Sequence, residues 1–321
     1  MVNQDNTFIS IIVPILNEEK NINEFYSRTL KTFEKLKLEY EIIFILDPCE
    51  DNSLNIIKDF ALINKNIKIL EFSRRFGQPV ATLAGIDYAI GDYVVVIDVD
   101  LQDPPELIYD LYIKLKSKNL DVVYAKRKSR DGETFIKKII SEVGYKLINK
   151  MSDVNIPVNV GDFRIMSRRV VNEIKKFKDP EAFLRGIVSY VGFDQDYVEY
   201  DREKRFSGST KYNKYLGSLK IGLNGLLGFT SKPLQLMSLV GFFFSFLSFI
   251  IGITYFILKI FHFEITAGLP TTILIVTFFS GIQLMALGIV GEYIARIYDQ
   301  VKERPRYIIK NKTNIQDDEK N

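Results

Sequence analysis

Tyr93-Val94-Val95-Val96-Ile97-Asp98-Val99-Asp100-Leu101-Gln102-Asp103-Pro104-Pro105-Glu106-Leu107 is the stretch on which the fold turns. Its Ile/Val run lacks polar alternation, the habit of a strand covered on both faces, and it ends in a cluster of acids. Working outward, FISIIVPIL from Phe8, YEIIFIL from Tyr40, IKILEFS from Ile67 and LDVVYAK from Leu120 read as further strands. Helical spacing over Lys20–Leu38, Ser53–Ile63, Val80–Ala89 and Glu106–Lys118 separates them. Strands alternating with helices predict an α/β, doubly wound, mainly parallel sheet, whose ligands bind outside the carboxyl ends of the strands. No G-x-G-x-x-G follows the first strand and no G-x-x-x-x-G-K-[ST] occurs, so neither a dinucleotide fingerprint nor a P-loop is supported.

Composition narrows the function. Lys and Arg total 43 against 40 Asp and Glu in 321 residues, and a net charge of +3 does not announce a nucleic-acid partner. Cys49 and His262 stand alone as the cysteine and the histidine, which excludes an internal disulfide and disfavours a Cys/His metal cluster or a Cys–His nucleophile. A reducing, cytosolic catalytic domain fits. The opening MVNQDNTF has neither the basic flank nor the apolar core of a secretory signal.

Apolar residues concentrate late in the chain. Leu236–Leu258 and Pro270–Gly291 are uncharged runs long enough to cross the ~30 Å of a bilayer core, and both are expected to be transmembrane. Lys211, Lys214, Lys220 and Lys232 precede the first run, and Arg296, Lys302, Arg304, Arg306 and Lys310 follow the second. The basic-side rule then places both ends of the hairpin in the cytoplasm, at the cell membrane. Expected domains are a cytoplasmic domain over 1–210, an amphipathic interfacial segment over 211–232, the hairpin over 233–298 and a tail over 299–321. From Asn311 the tail, rich in Asn, Asp, Glu and Lys, is expected to be disordered. Gly241, Gly252, Gly281 and Gly288 would permit close helix contacts within a chain or in a homo-oligomer.

Asp98 and Asp100 lie two residues apart, so on an extended chain they share one side of the pleat, and Gln102 continues that side. Such hard oxygen ligands suit Mg²⁺ or Mn²⁺ bound with a diphosphate. Asp103, before Pro104 and three residues ahead of Glu106, reads as the cap of the next helix, which leaves Asp98 and Asp100 for ligand.

The sequence resembles the inverting family-two glycosyltransferases, and within them the polyprenyl-phosphate subgroup of bactoprenol glucosyltransferases and dolichyl-phosphate mannose synthases. The resemblance rests on IIVPILNEEKNI from Ile11, SRRFGQPVATLAGIDYAIGDYVVVIDVDLQDPPEL from Ser73, KRKSRDGE from Lys126, GDFRIMSRR from Gly161 and RFSGSTKY from Arg205. It implies that Pro14, Asn17 and Glu18 line a base and ribose pocket, and that Asp98, Asp100 and Gln102 hold metal and diphosphate. Arg127 and Arg130 match the family's basic pair, and a guanidinium fork suits phosphate oxygens. Asp162 and Arg164 match its acceptor-side acid motif, and Arg205, Ser207, Ser209 and Lys211 match its R-x-S-G-x-S-K-Y segment. Asp100 and Asp162 are the implied catalytic acids. Where the family reads Asp-Asp-Gly-Ser after its second strand, this chain reads Leu46-Asp47-Pro48-Cys49, so Asp47 alone is implied beside the nucleobase and the base stays open.

The implied reaction moves a sugar from a nucleotide-sugar, a UDP-hexose, to a polyprenyl phosphate, undecaprenyl phosphate in a bacterium. Two alternatives stand beside it. A processive polysaccharide synthase would carry a Q-x-x-R-W motif, and this chain has no tryptophan. A non-catalytic partner in sugar-lipid translocation would keep the fold without the chemistry.

Overall fold

The computed structural model describes residues 7–128, 160–177, 184–203, 206, 232–261 and 268–315. The expected interfacial segment over 211–232 lies almost wholly outside them.

The first half alternates as expected: β1 (Phe8–Ile15), α1 (Glu19–Leu36), β2 (Glu39–Leu46), α2 (Ser53–Ile63), β3 (Ile67–Phe72), α3 (Gln78–Tyr88), β4 (Tyr93–Val96), α4 (Leu107–Ser117) and β5 (Val122–Arg127). Then follow β6 (Val160–Ser167), α5 (Arg168–Lys175), α6 (Leu184–Val191), β7 (Gln195–Tyr200), α7 (Lys232–Ile260), α8 (Leu269–Val301) and β8 (Ile309–Thr313). One eight-stranded sheet runs in the order β7-β5-β6-β4-β1-β2-β3-β8.

β1, β2, β3 and β4 are mutually parallel where they pair, and β6 is inserted antiparallel between β4 and β5. Apolar side chains on both faces explain why the strands carry no polar alternation. Ile9, Ile11 and Val13 of β1 pack with Ile22 and Phe25 of α1, Ile57 of α2 and Leu111 of α4. Ile12 of β1 faces the other way, toward Ala84 of α3, Val170 of α5 and Ile187 of α6. β1 sits between β2 and β4 while its two crossover helices lie on opposite faces, which makes the carboxyl ends of β1 and β4 a topological switch point.

Composition suggests disorder from Asn311, but the described part of the tail, through Ile315, is ordered. Ile309–Thr313 forms β8 and pairs antiparallel with β3, covering what would otherwise be an open edge. Amide side chains supply the missing partners: Asn314 Nδ2 donates to the carbonyls of Ala61 (2.8 Å) and Ile67 (2.9 Å), and Asn311 Nδ2 to Glu71 Oε2 (3.3 Å). Tyr307, Ile309 and Ile315 add apolar contact with the core.

α7 and α8 are both long and apolar enough to cross a membrane, and their spanning windows are 0% buried within the protein. They meet through aromatic contacts such as Phe244 edge-on to Phe279 at 5.3 Å.

Close packing of α3 on the sheet depends on Gly85, where a Cβ would approach Ile12 Cγ2 to 2.4 Å and Ile45 Cδ1 to 2.8 Å. Gly85→Ala is expected to destabilise the domain by about 1–3 kcal/mol through overpacking, despite the better helix propensity of alanine. Thermal unfolding measures it, and an unchanged midpoint would contradict this packing.

Candidate functional site

Strand ends and the loops that follow them build the site. At the end of β1, Pro14 is half-buried and Asn17 takes a left-handed conformation with φ 51°. Asn17 Oδ1 accepts the Glu50 N–H (2.8 Å), and the Asn17 N–H points to Cys49 Sγ (3.4 Å). The Glu18 N–H donates to Ser53 Oγ at 2.9 Å, while the Glu18 carboxylate accepts from Asn21 Nδ2 at 2.5 Å. Glu19 bonds both Asp51 and Asn52 across the same gap: the Glu19 N–H donates to Asp51 Oδ2 and the Asn52 N–H to Glu19 Oε2, each at 3.0 Å. These bonds lace the β1–α1 and β2–α2 loops into one wall.

Asp47 is buried, and its two oxygens accept the backbone N–H groups of Phe76 (2.8 Å) and Gly77 (3.0 Å). The acid implied for the nucleobase therefore orders the β3–α3 loop. Gly77 needs its lack of a Cβ here, at φ 90°. Cys49 lies against the core with its thiol on the Asp47 carbonyl (3.2 Å), a packing role.

β4 ends at Val96, and Asp98 and Asp100 follow it, both half-buried. Gln78 Nε2 at the start of α3 donates to Asp98 Oδ1 at 2.6 Å. Burial, then the charges of Asp100, Asp162 and Asp103, push the Asp98 carboxyl up to about 8, with Arg202 pulling the other way. The expected extended alternation through Gln102 does not continue. Leu101 turns left-handed at φ 60°, which is costly for a non-glycine residue, and its side chain is held in the core. The Gln102 N–H folds back onto Asp100 Oδ1 (3.1 Å), and the Gln102 carbonyl accepts the Glu203 N–H (3.1 Å).

Asp103 does not cap α4. The residue before that helix is Glu106, which makes no side-chain capping bond and instead pairs with Arg28 at 2.8 and 2.7 Å. Asp103 is buried, accepting from the Tyr200 hydroxyl and facing Arg202 Nε (3.4 Å) and Arg127 Nη2 (3.7 Å). A buried carboxylate needs such partners, and two cations and a hydroxyl outweigh a helix end. Arg127, the last residue of β5, also reaches the Tyr200 hydroxyl (3.4 Å). Burial works against its charge, but Asp103 and Tyr200 prevail and raise its pKa.

β6 completes the arrangement. Its antiparallel pairing sets Val96 opposite Arg164, so two residues farther along β4 and two back along β6 bring Asp98 and Asp162 to the same sheet end. Arg185 grips Asp162 through Nε (2.9 Å) and Nη2 (3.3 Å). Burial pushes the Asp162 carboxyl up, yet Arg185, Arg164 and Arg127 together hold it down to about 2. Arg164 is fully buried, donating to the carbonyls of Asp162 (3.1 Å) and Gly161 (2.9 Å) and lying 5.1 Å from the Tyr124 ring centre. Its role is to brace the β6 backbone beneath Asp162, and burial lowers its pKa.

Pro14, Asn17, Glu18, Asp98, Asp100, Gln102, Arg127 and Asp162 thus gather at one edge, with Asp47 and Arg164 buried behind them. Arg130, Arg205, Ser207, Ser209 and Lys211 lie outside the described residues. Arg185, Arg202 and Tyr200 join the site without having been expected. The one sequence signal for Arg185 is a charge set among the buried Leu184, Gly186 and Ile187 of α6.

For a divalent ion, the donor set is suitable. Among the described residues no three acid, histidine or cysteine side chains converge as a cage. Two carboxylates at a strand end match an ion that draws its other ligands from diphosphate and water.

Residues 10–175 match the model of the glycosyl transferase family 2. An uncharacterized glycosyltransferase of Bacillus subtilis is 44% identical over 96% of this chain and 94% of its own. The bactoprenol glucosyl transferase of Shigella phage SfV is 41% identical over 94% of this chain and 98% of its own. Among solved structures, glucosyl-3-phosphoglycerate synthase from Mycobacterium tuberculosis, in complex with Mn²⁺, uridine-diphosphate-glucose and phosphoglyceric acid, superposes with a TM-score of 0.49 at 17% identity, over 69% of this chain and 78% of that one. Family model and near full-length relatives agree, and the chain belongs to glycosyl transferase family 2.

Proposed function

We propose that this protein transfers a hexose from a UDP-sugar to a polyprenyl phosphate, undecaprenyl phosphate in a bacterium, with inversion at the anomeric carbon. The observation that carries the reading is the opposition of Asp98 and Asp100 to the Asp162–Arg185 pair at one sheet end, with Arg127 and Arg202 close by. Identity of 41% to bactoprenol glucosyl transferases across nearly the whole chain supports the acceptor class.

Asp98 and Asp100, with Gln102 at the turn, would hold Mg²⁺ or Mn²⁺, which would take up charge on the leaving nucleotide diphosphate. An acid raised to about 8 by burial and by its acidic neighbours is a group that a bound cation would return to its charged form. Donor and acceptor phosphates meet cations on the other side, where Arg127 and Arg202 balance Asp103. A phosphate monoester already carries about −1.5 to −2 charges near neutral pH, so it needs alignment more than deprotonation. Asp162 is suited to alignment, because a carboxyl held down to about 2 is a poor proton acceptor at neutral pH.

The two apolar helices are read as a membrane hairpin that keeps the acceptor's chain in lipid. Two features support both ends lying on the cytoplasmic face. β8 returns the chain to the catalytic sheet after α8, and Lys232, Lys302, Arg304 and Arg306 flank the helices. No observation favours the processive or the non-catalytic alternative.

The deciding assay incubates membranes with undecaprenyl phosphate and a panel of labelled UDP- and GDP-sugars. Label is expected in the organic phase with one UDP-hexose, and retention in water across the panel would overturn the reading. Asp100→Asn is expected to abolish transfer while leaving the folded protein in the membrane. Arg185→Ala should lower kcat by about 10²-fold through loss of alignment. Because Asp162 stays ionised down to about pH 2, the acid limb of wild-type activity is expected to follow the acceptor phosphate, near pH 6. In Arg185→Ala the folded-state pKa of Asp162 rises, so a second acid limb appears at higher pH than 2; an unaltered pH profile would deny the pair this role.

A further inference from the structure

We propose that the segment beyond the second apolar helix, from Arg306 to Thr313, positions the donor end of the site, with Arg306 and Tyr307 acting through α3 and the loop before it. This deepens the reading of Asp98 and its neighbours as the donor-diphosphate site and rests on it.

Two routes lead from the segment to that site. The first runs along α3. Asp87, near the carboxyl end of this helix, accepts from both Arg306 Nη2 (3.0 Å) and the Tyr307 hydroxyl (2.9 Å) on one oxygen. Arg306 Nη1 also donates to the Phe177 carbonyl (3.1 Å), and Lys175 Nζ to the Asp87 carbonyl (2.9 Å), so the end of α5 is drawn into the same knot. At the other end of α3, about 13 to 14 Å away by helical rise, Gln78 holds Asp98. The second route is aromatic. Tyr307 stacks on Phe72 (5.6 Å), Phe72 meets Phe76 edge-on (5.2 Å), and the Phe76 and Gly77 N–H groups bind Asp47. Backbone pairing reinforces both, since the Ser73 N–H donates to the Ile308 carbonyl at 3.0 Å where β3 gives way to this loop.

The segment is separated from the end of α8 by only a few residues; it bonds the far end of α3 at Asp87 and meets, at Phe72 and Ser73, the start of the loop that leads to Gln78. A helix fixed at its far end by two hydrogen bonds, and at its near end by a packed loop, has little freedom to rotate Gln78 away from Asp98. The knot therefore makes the geometry of the donor site depend on a stretch of chain that comes after the apolar hairpin. Burial and the neighbouring Asp87 raise the Tyr307 pKa, so the hydroxyl keeps its proton and remains a donor.

Full-length Arg306→Ala, Arg306→Lys and Tyr307→Phe, with Lys310→Ala on the exposed side of β8 as control, test this in nanodiscs. The readouts are KM for UDP-glucose, KM for undecaprenyl phosphate, and amide hydrogen exchange over Ser73–Pro79. Arg306→Ala and Tyr307→Phe are expected to raise the UDP-glucose KM about tenfold and leave the lipid KM within about twofold. Exchange at Phe76 and Gly77 should quicken about tenfold while β1 and β2 stay protected, as for a local opening. Arg306→Lys should recover part of the donor KM, and Lys310→Ala should match wild type. The proposal is overturned if the folded variants show unchanged exchange at Phe76 and Gly77, or if donor and acceptor KM shift together with a general loss of protection. If wild type transfers no sugar, the functional reading fails by itself, and the exchange measurement still decides whether the segment holds the loop.

Discussion

Asp98 is a carboxylate that burial and three neighbouring acids have made hard to ionise, and the construction of this edge of the sheet follows from it. Asp100, Asp103 and Asp162 could not share so small a volume unopposed. Each of the latter two is answered separately: Asp103 by Tyr200, Arg127 and Arg202, and Asp162 by Arg185 and Arg164. Asp98 has Gln78, a neutral donor that steadies the carboxylate without neutralising it. Charge is thus graded across the site, from the compensated Asp103 and Asp162 to the under-compensated Asp98, where the proposed function sets a cation.

The antiparallel β6 makes that gradient possible. In a wholly parallel sheet, Asp162 would need to follow a strand to reach the carboxyl edge. Running the other way, it enters at that edge and meets Asp98 through the Val96–Arg164 register. The same register buries Arg164 beneath the edge, where carbonyls of Gly161 and Asp162 and the Tyr124 ring hold it. An arginine read from sequence as a binding group is thereby a brace, and other guanidiniums at the site come from Arg185 and Arg202, on other elements.

Much of this was legible in the sequence because it depends on local pattern. Strands buried on both faces show as unbroken apolar runs, and acids directly after such a run lie where ligands bind. What stayed hidden depends on long-range pairing. Asp103 fits a capping box over four residues, and only the approach of Tyr200 and Arg202, about a hundred residues on, shows it to be a buried anion. Leu101 offers no sign of its left-handed turn, since its conformation is imposed by core packing against local preference. A tail of amides and charges lacks the apolar content of a strand, yet β3 supplies the ladder and Tyr307 the anchor.

That tail bears on why a sugar-transfer domain and an apolar hairpin occupy one chain. In the proposed reaction, an acceptor with its phosphate in water and its chain in lipid would meet the donor only if the site kept a fixed relation to the bilayer surface. Through β8 and the Arg306–Asp87–Tyr307 knot, the chain that follows α8 is held at the β3 edge and on α3. Because the knot lies on α3, the restraint reaches the helix that presents Gln78 to Asp98, so anchoring and donor-site geometry share one element.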